Sequence, residues 1–223
     1  MESSTNKAII FDMDGTLIDS EPLHLLAYQD LLKQFEQVWT AQDNREFLGR
    51  TDLDVCKAMV SKFNLSLTAR QLVELKEHIL QELVAKNAQP RPGVLEILKS
   101  AKELKVPMAV ASSATLATIA FTIDALGIRS YFSTLSSGEE VSSGKPDPAV
   151  FLLAAKRLKV PAENCLVIED TLNGIKAAKA AGMYCVAVPC EATSHEDHSL
   201  ADCRLESLTE LDLQNWLKSG VCR

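Results

Sequence analysis

The spacing of hydrophobic residues changes along the chain, and the change predicts two kinds of structure. Residues 8–11 form a continuous apolar run, Ala-Ile-Ile-Phe, which is typical of a strand buried on both faces. Apolar positions then recur at helical spacing, and we find no convincing strand before about residue 105. A helical block of roughly seventy residues is too long for a connection inside a compact sheet. We therefore interpret residues 19–88 as an inserted helical domain.

After residue 89, short apolar runs alternate with amphipathic segments. The predicted elements are strands at 108–112, 131–135, 165–170 and 184–188 and helices at 118–126, 148–158 and 173–181, then a weak strand near Cys203 and a helix at about 207–218. Strands that alternate with helices and are apolar on both sides indicate a parallel sheet covered on both faces. The sequence therefore predicts an α/β fold, a doubly wound parallel sheet made of residues 1–18 and 89–223.

Oxygen-bearing side chains follow three of the predicted strands. They are Asp12 and Asp14, Ser112 and Ser113, and Glu169 and Asp170. Ligands of open parallel sheets bind beyond the carboxyl ends of the strands, so we expect these groups to meet at one edge. If the first strand continues, alternation also places Asp12 and Asp14 on the same face. Asp and Gly alone would fit a solvated turn equally well, but three strands ending in this way favour a binding site.

The expected cluster of carboxylates suits a hard cation. Mg²⁺ takes one or two carboxylates and leaves its other positions to water and phosphate. A structural calcium site fits less well, because the carboxylates are spread over strands and not gathered in one acidic loop. Lys145 adds a positive charge, since Pro146 keeps it out of the next helix, although a lone lysine in a loop usually faces solvent.

Ser112 and Ser113 precede a predicted helix, and two interpretations of them remain. A serine here can simply cap the helix, or its hydroxyl can join free backbone N–H groups in a phosphate-binding corner. Phosphoryl transfer uses a set of groups of this kind, namely carboxylates, a metal, a lysine and a phosphate-binding corner.

Composition limits the partners that we expect. The net charge of −7 argues against a surface that binds nucleic acid or anionic lipid. No apolar run approaches membrane-spanning length, and the first residues lack the pattern of a secretory signal. We therefore expect a cytoplasmic monomer without nucleic-acid or membrane partners. The six cysteines form no CxxC pair, which predicts neither a disulfide framework nor a zinc site, and we interpret the segment from His195 to His198 as a solvated loop.

These motifs resemble those of a known family. Asp12-Met13-Asp14-Gly15-Thr16, Ser112, Lys145 and Glu169-Asp170 occur in the order and spacing of the four motifs of the haloacid dehalogenase superfamily. The helical insertion resembles the small α-helical cap of its β-phosphoglucomutase-like branch, and Lys145-Pro146-Asp147-Pro148 strengthens that resemblance.

The resemblance implies a role for each motif residue. Asp12 would be the nucleophile that forms an aspartyl phosphate, and Asp14 would be the general acid and base, with its backbone carbonyl on Mg²⁺. Asp170 would ligate the metal, and Glu169 would either ligate it or support it from outside. Ser112 and Lys145 would hold the phosphoryl oxygens. Dehalogenase and phosphonatase members lack an acid at the position of Asp14, so its presence favours phosphate esters.

The resemblance also implies that the cap selects the substrate. Arg50 follows Gly49 in a cap loop and is the first candidate for contacting substrate, although it would also suit an ordinary surface position. Lys76 and His24 are further candidates. As alternatives, Lys76 would lie on a solvated helix face, and His24 would orient the hinge near Asp19.

The predicted function is a Mg²⁺-dependent phosphatase that acts on a small phosphorylated metabolite, foremost a sugar phosphate. Mutase activity is the alternative. In β-phosphoglucomutase an arginine lies shortly after the cap glycine, whereas here Arg50 follows Gly49 directly and the later position is Asp52, which counts against a mutase. A catalytically idle binding module on the same fold is the third possibility.

Overall fold

The computed structural model of the protein describes residues 6–47 and 51–222. The chain divides into two compact units, Met1–Asp19 with Gln89–Arg223, and Ser20–Ala88. Each unit has a hydrophobic core of its own. The first is built on a sheet and the second on helices.

The first unit contains a sheet of six parallel strands in the spatial order β3-β2-β1-β4-β5-β6. Along the chain the strands are β1 Ala8–Phe11, β2 Met108–Ser112, β3 Thr134–Ser137, β4 Cys165–Glu169, β5 Tyr184–Ala187 and β6 Cys203–Arg204. Every residue of β1, β2 and β4 is buried, as a sheet covered on both faces requires. The predicted α/β fold is confirmed.

The register of the central strands aligns the residues that follow them. Phe11, the last residue of β1, is opposite Val110 of β2 and Ile168 of β4. The next residue, Asp12, donates its backbone N–H to the carbonyl oxygen of Ile168 at 3.0 Å. Asp12, Ser112 and Glu169 are therefore brought to the same edge of the sheet.

The second unit is a helical bundle with its own core. Its helices are α1 Glu21–Lys33, α2 Ala41–Arg45, α3 Asp52–Phe63 and α4 Ala69–Asn87. Three of them begin at a threonine whose hydroxyl accepts from the backbone N–H three residues later: Thr40, Thr51 and Thr68. Trp39, Met59 and Leu72 fill its interior. These helices agree with the helical spacing of the apolar positions that follow β1 in the sequence.

The described residues of the sheet unit form five further helices. They are α5 Val94–Glu103, α6 Leu116–Ala125, α7 Ala149–Leu158, α8 Leu172–Ala180 and α9 Leu213–Ser219. The apolar sides of α7 and α8 share one cluster with Ile10 of β1 and Val167 of β4. Ile9 and Phe11, which point to the opposite side of β1, are also fully buried.

Two predicted elements are placed wrongly. A 3₁₀ turn at Arg129–Tyr131 replaces the start of the strand predicted at 131–135, and β3 extends to Ser137 instead. The last two serines of β3 are fully buried because their hydroxyls are paired, Ser136 with Arg157 at 3.3 Å and Ser137 with the Ala114 carbonyl at 2.6 Å. An apolar pattern cannot detect such residues.

The predicted helix at 207–218 begins later than expected. Residues Leu208–Glu210 form a 3₁₀ turn, and α9 begins at Leu213, after Asp212 accepts the backbone N–H of Asn215 at 2.8 Å. Aspartate favours the N-cap position, because its side chain accepts a backbone N–H of the helix that follows. Helix α9 therefore begins after Asp212 and not at residue 207.

The cysteines also differ from expectation in one respect. Cys203 of β6 and Cys222, beyond α9, form a disulfide, because the chain turns back after α9 and brings the two Cα atoms to 6.7 Å. Sequence spacing could not show this return. Cys56, Cys165, Cys185 and Cys190 are free and buried. Among the described helices, none is both long and apolar enough to span a membrane.

Candidate active site

Three buried carboxylates meet at the edge of the sheet. Asp12 follows β1, Glu169 ends β4 and Asp170 comes next, and one oxygen from each lies within 4.8 Å of the others. Asp14 is not a member of this group. Strand β1 ends at Phe11, and the chain turns so that the Leu17 N–H donates to the Met13 carbonyl at 2.8 Å. The alternation that predicted a shared face for Asp12 and Asp14 therefore stops before residue 14.

Lys145 lies between two of these carboxylates. Its ammonium donates to Asp12 Oδ1 at 2.5 Å and to Glu169 Oε1 at 2.9 Å, and it lies 4.7 Å from the centre of the Phe151 ring. The side chain is 7% exposed, so Lys145 does not face solvent. Burial alone would lower the pKa of Lys145, but Asp12 and Glu169 raise it above the usual range, and the ammonium stays charged.

Glu169 has hydrogen-bond partners at both of its oxygens. Oε1 accepts from Lys145, and Oε2 accepts the backbone N–H groups of Asp170 and Thr171, each at 2.7 Å, and the Thr171 hydroxyl at 3.0 Å. Helix α8 passes so close that a Cβ at Gly174 would lie 1.5 Å from Oε1. The glycine is therefore required for Glu169 to lie where it does.

The group carries more negative than positive charge. Burial raises the pKa of Asp12 well above its usual value; Lys145 opposes this shift, whereas Glu169 and Asp170 add to it. Burial, followed by the charge of Glu169, raises the pKa of Asp170 to about 7. Three carboxylates with one ammonium need a further cation to be stable in their charged forms.

The residues present fit a divalent metal. All the donors are carboxylate oxygens, which hard divalent cations prefer. Gly15, at φ +74°, lets the turn after Asp12 pack directly against Asp170, because a Cβ there would lie 2.1 Å from Asp170 Oδ2. Asp12, Glu169 and Asp170 are the side chains able to hold such an ion.

A hydroxyl corner lies beside the carboxylates. Ser112 ends β2, the neighbour of β1, and its buried hydroxyl accepts the Ala114 N–H at 3.1 Å. Helix α6 is capped by Thr115 and not by either serine. The capping interpretation of Ser112 and Ser113 is therefore wrong for α6. Ser113 is exposed.

Arg91 is a contact that the sequence did not predict. Its guanidinium donates to the Gly15 carbonyl, to the Val188 carbonyl at 3.1 Å and to the Pro189 carbonyl at 2.9 Å. It thus ties the turn after Asp12 to the end of β5. The only local signal was its position in the Pro-Arg-Pro-Gly cluster that ends the helical insertion.

His198 is buried, which corrects the prediction of a solvated loop at 195–198. Its Nε2 donates to the backbone carbonyl of Asp170 at 2.9 Å. The loop after β5 folds back over the end of β4, and this path cannot be read from local composition. His195 is exposed, as expected.

Two cap candidates meet in the helical unit. Lys76 is fully buried, so its expected alternative position on a solvated helix face is wrong. Its ammonium donates to Asp52 Oδ2 at 2.7 Å and to His24 Nδ1 at 2.8 Å, and it lies 5.3 Å from the centre of the Tyr28 ring. Arg50 lies outside the described residues.

Residues 6–182 match the model of the haloacid dehalogenase-like hydrolase family. The chain belongs to this family. The match includes Asp12, Ser112, Lys145, Glu169 and Asp170, and it covers the helical unit and the part of the sheet unit that lies between residues 6 and 182.

Similar proteins of this hydrolase family include phosphatases of sugar phosphates. The phosphorylated carbohydrates phosphatase of Thermotoga maritima is 33% identical over 181 residues, 79% of this chain and 82% of the relative. The fructose-1-phosphate phosphatase of Escherichia coli is 32% identical over 180 residues, 81% of this chain and 95% of the relative. The crystal structure of CbbY from Rhodobacter sphaeroides in complex with phosphate aligns with a TM-score of 0.80 at 31% identity, covering 92% and 96% of the two chains.

In this haloacid dehalogenase-like hydrolase, the site combines three chemical abilities. It holds a buried carboxylate, Asp12, with one oxygen fixed by Lys145. It offers oxygen donors to a divalent cation. It also provides an ammonium and the Ser112 hydroxyl as groups able to bind anionic oxygens.

Proposed function

We propose that the protein is a metal-dependent phosphatase that hydrolyses a small phosphorylated metabolite, foremost a sugar phosphate, through an aspartyl phosphate on Asp12. The observation that carries this proposal is the placement of Asp12, buried, held at Oδ1 by Lys145 and within 4.8 Å of Glu169 and Asp170. Carboxylate nucleophiles of this kind form covalent phosphoryl intermediates. Mg²⁺ is the proposed metal, because it prefers oxygen donors and phosphate.

The proposed reaction has two displacements. Lys145 holds Oδ1 of Asp12, so we assign Oδ2 to the attack on phosphorus. The bond from phosphorus to the leaving oxygen breaks, and Asp14 donates its proton to that oxygen. Water then attacks the phosphorus of the aspartyl phosphate, Asp14 accepts the proton of the water, and the Asp12 carboxylate is released with inorganic phosphate.

The remaining residues bind charge during these steps. Lys145 and the Ser112 hydroxyl hold the phosphoryl oxygens. Asp12, Asp170 and the backbone carbonyl of Asp14 would hold the metal, which supplies positive charge next to the transferring group. Glu169, with both oxygens already paired, orients Lys145 and the start of α8.

Among the described residues of the helical unit, the pairing of Lys76 supports a phosphatase over a mutase. A mutase must bind a second phosphate firmly, whereas the Lys76 ammonium is already neutralised by Asp52 at 2.7 Å. The relatives named as phosphatases of sugar phosphates favour the same substrate class. Ser113, Arg50, Lys76 and His24 stay predictions for substrate contact. A monomeric state, a cytoplasmic location and the absence of nucleic-acid and membrane partners also stay predictions.

The decisive experiment replaces Asp12 and measures phosphate release from a panel of sugar phosphates with Mg²⁺. Asp12→Asn keeps the size of the side chain but removes the nucleophilic carboxylate, and we expect hydrolysis to fall to background. Asp19→Asn, at an exposed acid seven residues away, is the matched control and should retain activity. Metal-dependent hydrolysis by Asp12→Asn would contradict the proposal.

The same preparations separate the alternatives. With β-glucose 1-phosphate and its bisphosphate, isomer formation that outpaces phosphate release would show a mutase. Failure of the unaltered protein to hydrolyse any ester of the panel would support an idle binding module.

A further inference from the structure

The segment after β5 contacts Asp170 through three side chains. We call residues 189–198 the clamp segment. Within it, the Thr193 hydroxyl donates to Asp170 Oδ2 at 3.1 Å and the Cys190 thiol lies 3.5 Å from the same oxygen. His198 Nε2 donates to the Asp170 backbone carbonyl at 2.9 Å. One short segment therefore holds both the side chain and the backbone of one member of the acidic group.

The direction of the Thr193 hydroxyl is fixed from behind. Its oxygen accepts the Cys190 backbone N–H at 3.0 Å, which uses a lone pair. Its single proton then points to Asp170 Oδ2 at 3.1 Å, which is a stronger acceptor than the Cys190 Sγ at 3.4 Å. A carbonyl oxygen can only accept, so His198 must carry a proton on Nε2, and its buried ring can make this bond without competition from bulk water.

The clamp segment is itself anchored to the rest of the site. Glu196 accepts the backbone N–H of Leu172, the first residue of α8, at 2.5 Å. At the other end, Arg91 holds the Pro189 carbonyl at 2.9 Å and also the Gly15 carbonyl. The contacts of Thr193 and His198 with Asp170 are therefore part of a connected set and not isolated neighbours.

The two oxygens of Asp170 differ as a result. Oδ2 accepts from Thr193 and lies near the Cys190 thiol, whereas Oδ1 has the Thr16 hydroxyl at 3.4 Å, a long hydrogen bond. Oδ1 is thus the oxygen that is held less firmly by the protein.

We propose that Thr193 and His198 are positioning residues that hold Asp170 by Oδ2 and by its backbone carbonyl, so that Oδ1 is presented to the divalent cation. This proposal rests on the proposed function only in its use of Asp170 as a metal ligand. Groups that orient metal-ligating carboxylates without touching the ion change metal affinity by about 10–100-fold when they are removed. The clamp segment therefore sets the metal affinity of the site, and neither residue takes part in the chemical steps.

The first test measures Mn²⁺ binding directly, from the spectroscopic signal of the free ion, in the full chain. Thr193→Val keeps the shape of the side chain and removes the hydroxyl, so we expect the dissociation constant for Mn²⁺ to rise about tenfold. Thr193→Ser restores the hydroxyl and should return it to near the wild-type value. Ser194→Ala removes the neighbouring hydroxyl, which donates to the Glu191 carbonyl at 2.8 Å, and should leave it unchanged.

The second test applies the same logic to His198. His198→Leu loses the donor and should weaken Mn²⁺ binding, whereas His198→Gln carries an N–H at similar reach and should recover most of it. His195→Leu, at the exposed histidine of the same segment, is the control. In activity assays, the Thr193→Val and His198→Leu variants should need more Mg²⁺ for half-maximal rate yet approach the wild-type kcat at saturating metal.

Several results would overturn the clamp proposal. They are wild-type Mn²⁺ affinity in Thr193→Val, equal weakening in Thr193→Ser, and equal weakening in Ser194→Ala. Thermal unfolding without metal identifies a variant that is simply misfolded. In that case the conservative variants Thr193→Ser and His198→Gln provide the test: retained Mn²⁺ affinity supports the proposal, and lost Mn²⁺ affinity contradicts it. Mn²⁺ binding that is weakened by Thr193→Val, in a wild-type chain that hydrolyses no ester, would refute the proposed function and leave this inference standing. Hydrolysis by a chain whose Mn²⁺ affinity is unchanged in Thr193→Val would refute only this inference.

Discussion

Each unit of the protein buries a lysine, and the two sites are built in the same way. Lys145 of the sheet unit is 7% exposed and Lys76 of the helical unit is fully buried. Each ammonium donates to carboxylate oxygen at 2.5–2.9 Å and lies over an aromatic ring, at 4.7 Å for Phe151 and 5.3 Å for Tyr28. Burial and pairing alone therefore do not distinguish a functional lysine from a structural one.

The balance of charge does distinguish them. Lys145 contacts two carboxylates, with Asp170 beside them, and the pKa of Asp12 stays raised by burial despite the ammonium. Lys76 meets one carboxylate, Asp52. Burial would raise the pKa of Asp52, but the charge and hydrogen bond of Lys76 outweigh it and hold this pKa below its usual value. The first site retains negative charge that a cation can neutralise, and the second is already neutral.

The largest predicted effect follows from removing Lys145. Lys145→Met should abolish hydrolysis, and it should also destabilise the metal-free protein at pH 7 by about 3–5 kcal/mol, because buried carboxylates lose their counter-charge. Added Mg²⁺ should restore part of this stability by supplying positive charge. Urea unfolding with and without Mg²⁺ provides the measurement. Equal unfolding midpoints for the variant and the wild type would contradict the excess of negative charge that we infer around Lys145.

Lys76→Met should have a smaller effect, on stability. It leaves Asp52 without the Lys76 ammonium, and since the Asp52 side chain is 33% exposed and keeps the Tyr28 hydroxyl, we expect a loss of about 2 kcal/mol, below the range for fully buried pairs. Mg²⁺ should not restore it, because the site has no excess of carboxylates. Urea unfolding under the conditions used for Lys145→Met allows a direct comparison. Recovery of stability with Mg²⁺ would contradict the predicted difference between the two lysine sites.

The two lysines also show what the sequence could and could not predict. Lys145 was expected near the carboxylates because Pro146 keeps it in a loop at the edge of the sheet. Lys76 was expected on a surface, although it belongs to the i, i+4 row Leu72, Lys76, Leu80 and Val84, all of which are buried on α4. That row contained the signal. A charged residue in the middle of an apolar stripe indicates a buried partner.

The partners themselves could not be predicted in this way. Hydrophobic periodicity predicts strands and helices and therefore the edge at which Asp12 and Glu169 meet. It carries no information on Asp52 beside Lys76, 24 residues apart, or on Arg91 beside Gly15, 76 residues apart. These contacts depend on how the helices pack and on how the loops return across the fold. Most of the sheet and its carboxylates were therefore predictable, whereas the residues that orient them were not.

The pH dependence of stability tests the sign of the Asp52 shift. A carboxyl group whose pKa is lower in the folded protein stabilises it fully above the unfolded value of 3.8, and this contribution is lost as pH falls through the folded pKa. Asp52→Asn should therefore be less stable than the wild type at pH 5, where the wild-type carboxyl is charged. Below pH 3.8 the difference should shrink, because the wild-type carboxyl becomes neutral as well. Urea unfolding at each pH measures it, and a difference that grows on acidification would reverse the assignment.

The smallest predicted effect concerns an exposed lysine pair on the same helix as Lys76. Lys86 and Glu82 of α4 lie 3.4 Å apart with side chains 70% and 74% exposed. Water solvates both charges, so Lys86→Met should change the free energy of unfolding by no more than about 0.5 kcal/mol, and added salt should reduce even that. Comparison with Lys76→Met shows whether the loss of stability comes from removing any lysine of α4 or from removing the buried one. A loss as large as that of Lys76→Met would mean that helix propensity or net charge, and not burial with Asp52, explains the role of Lys76.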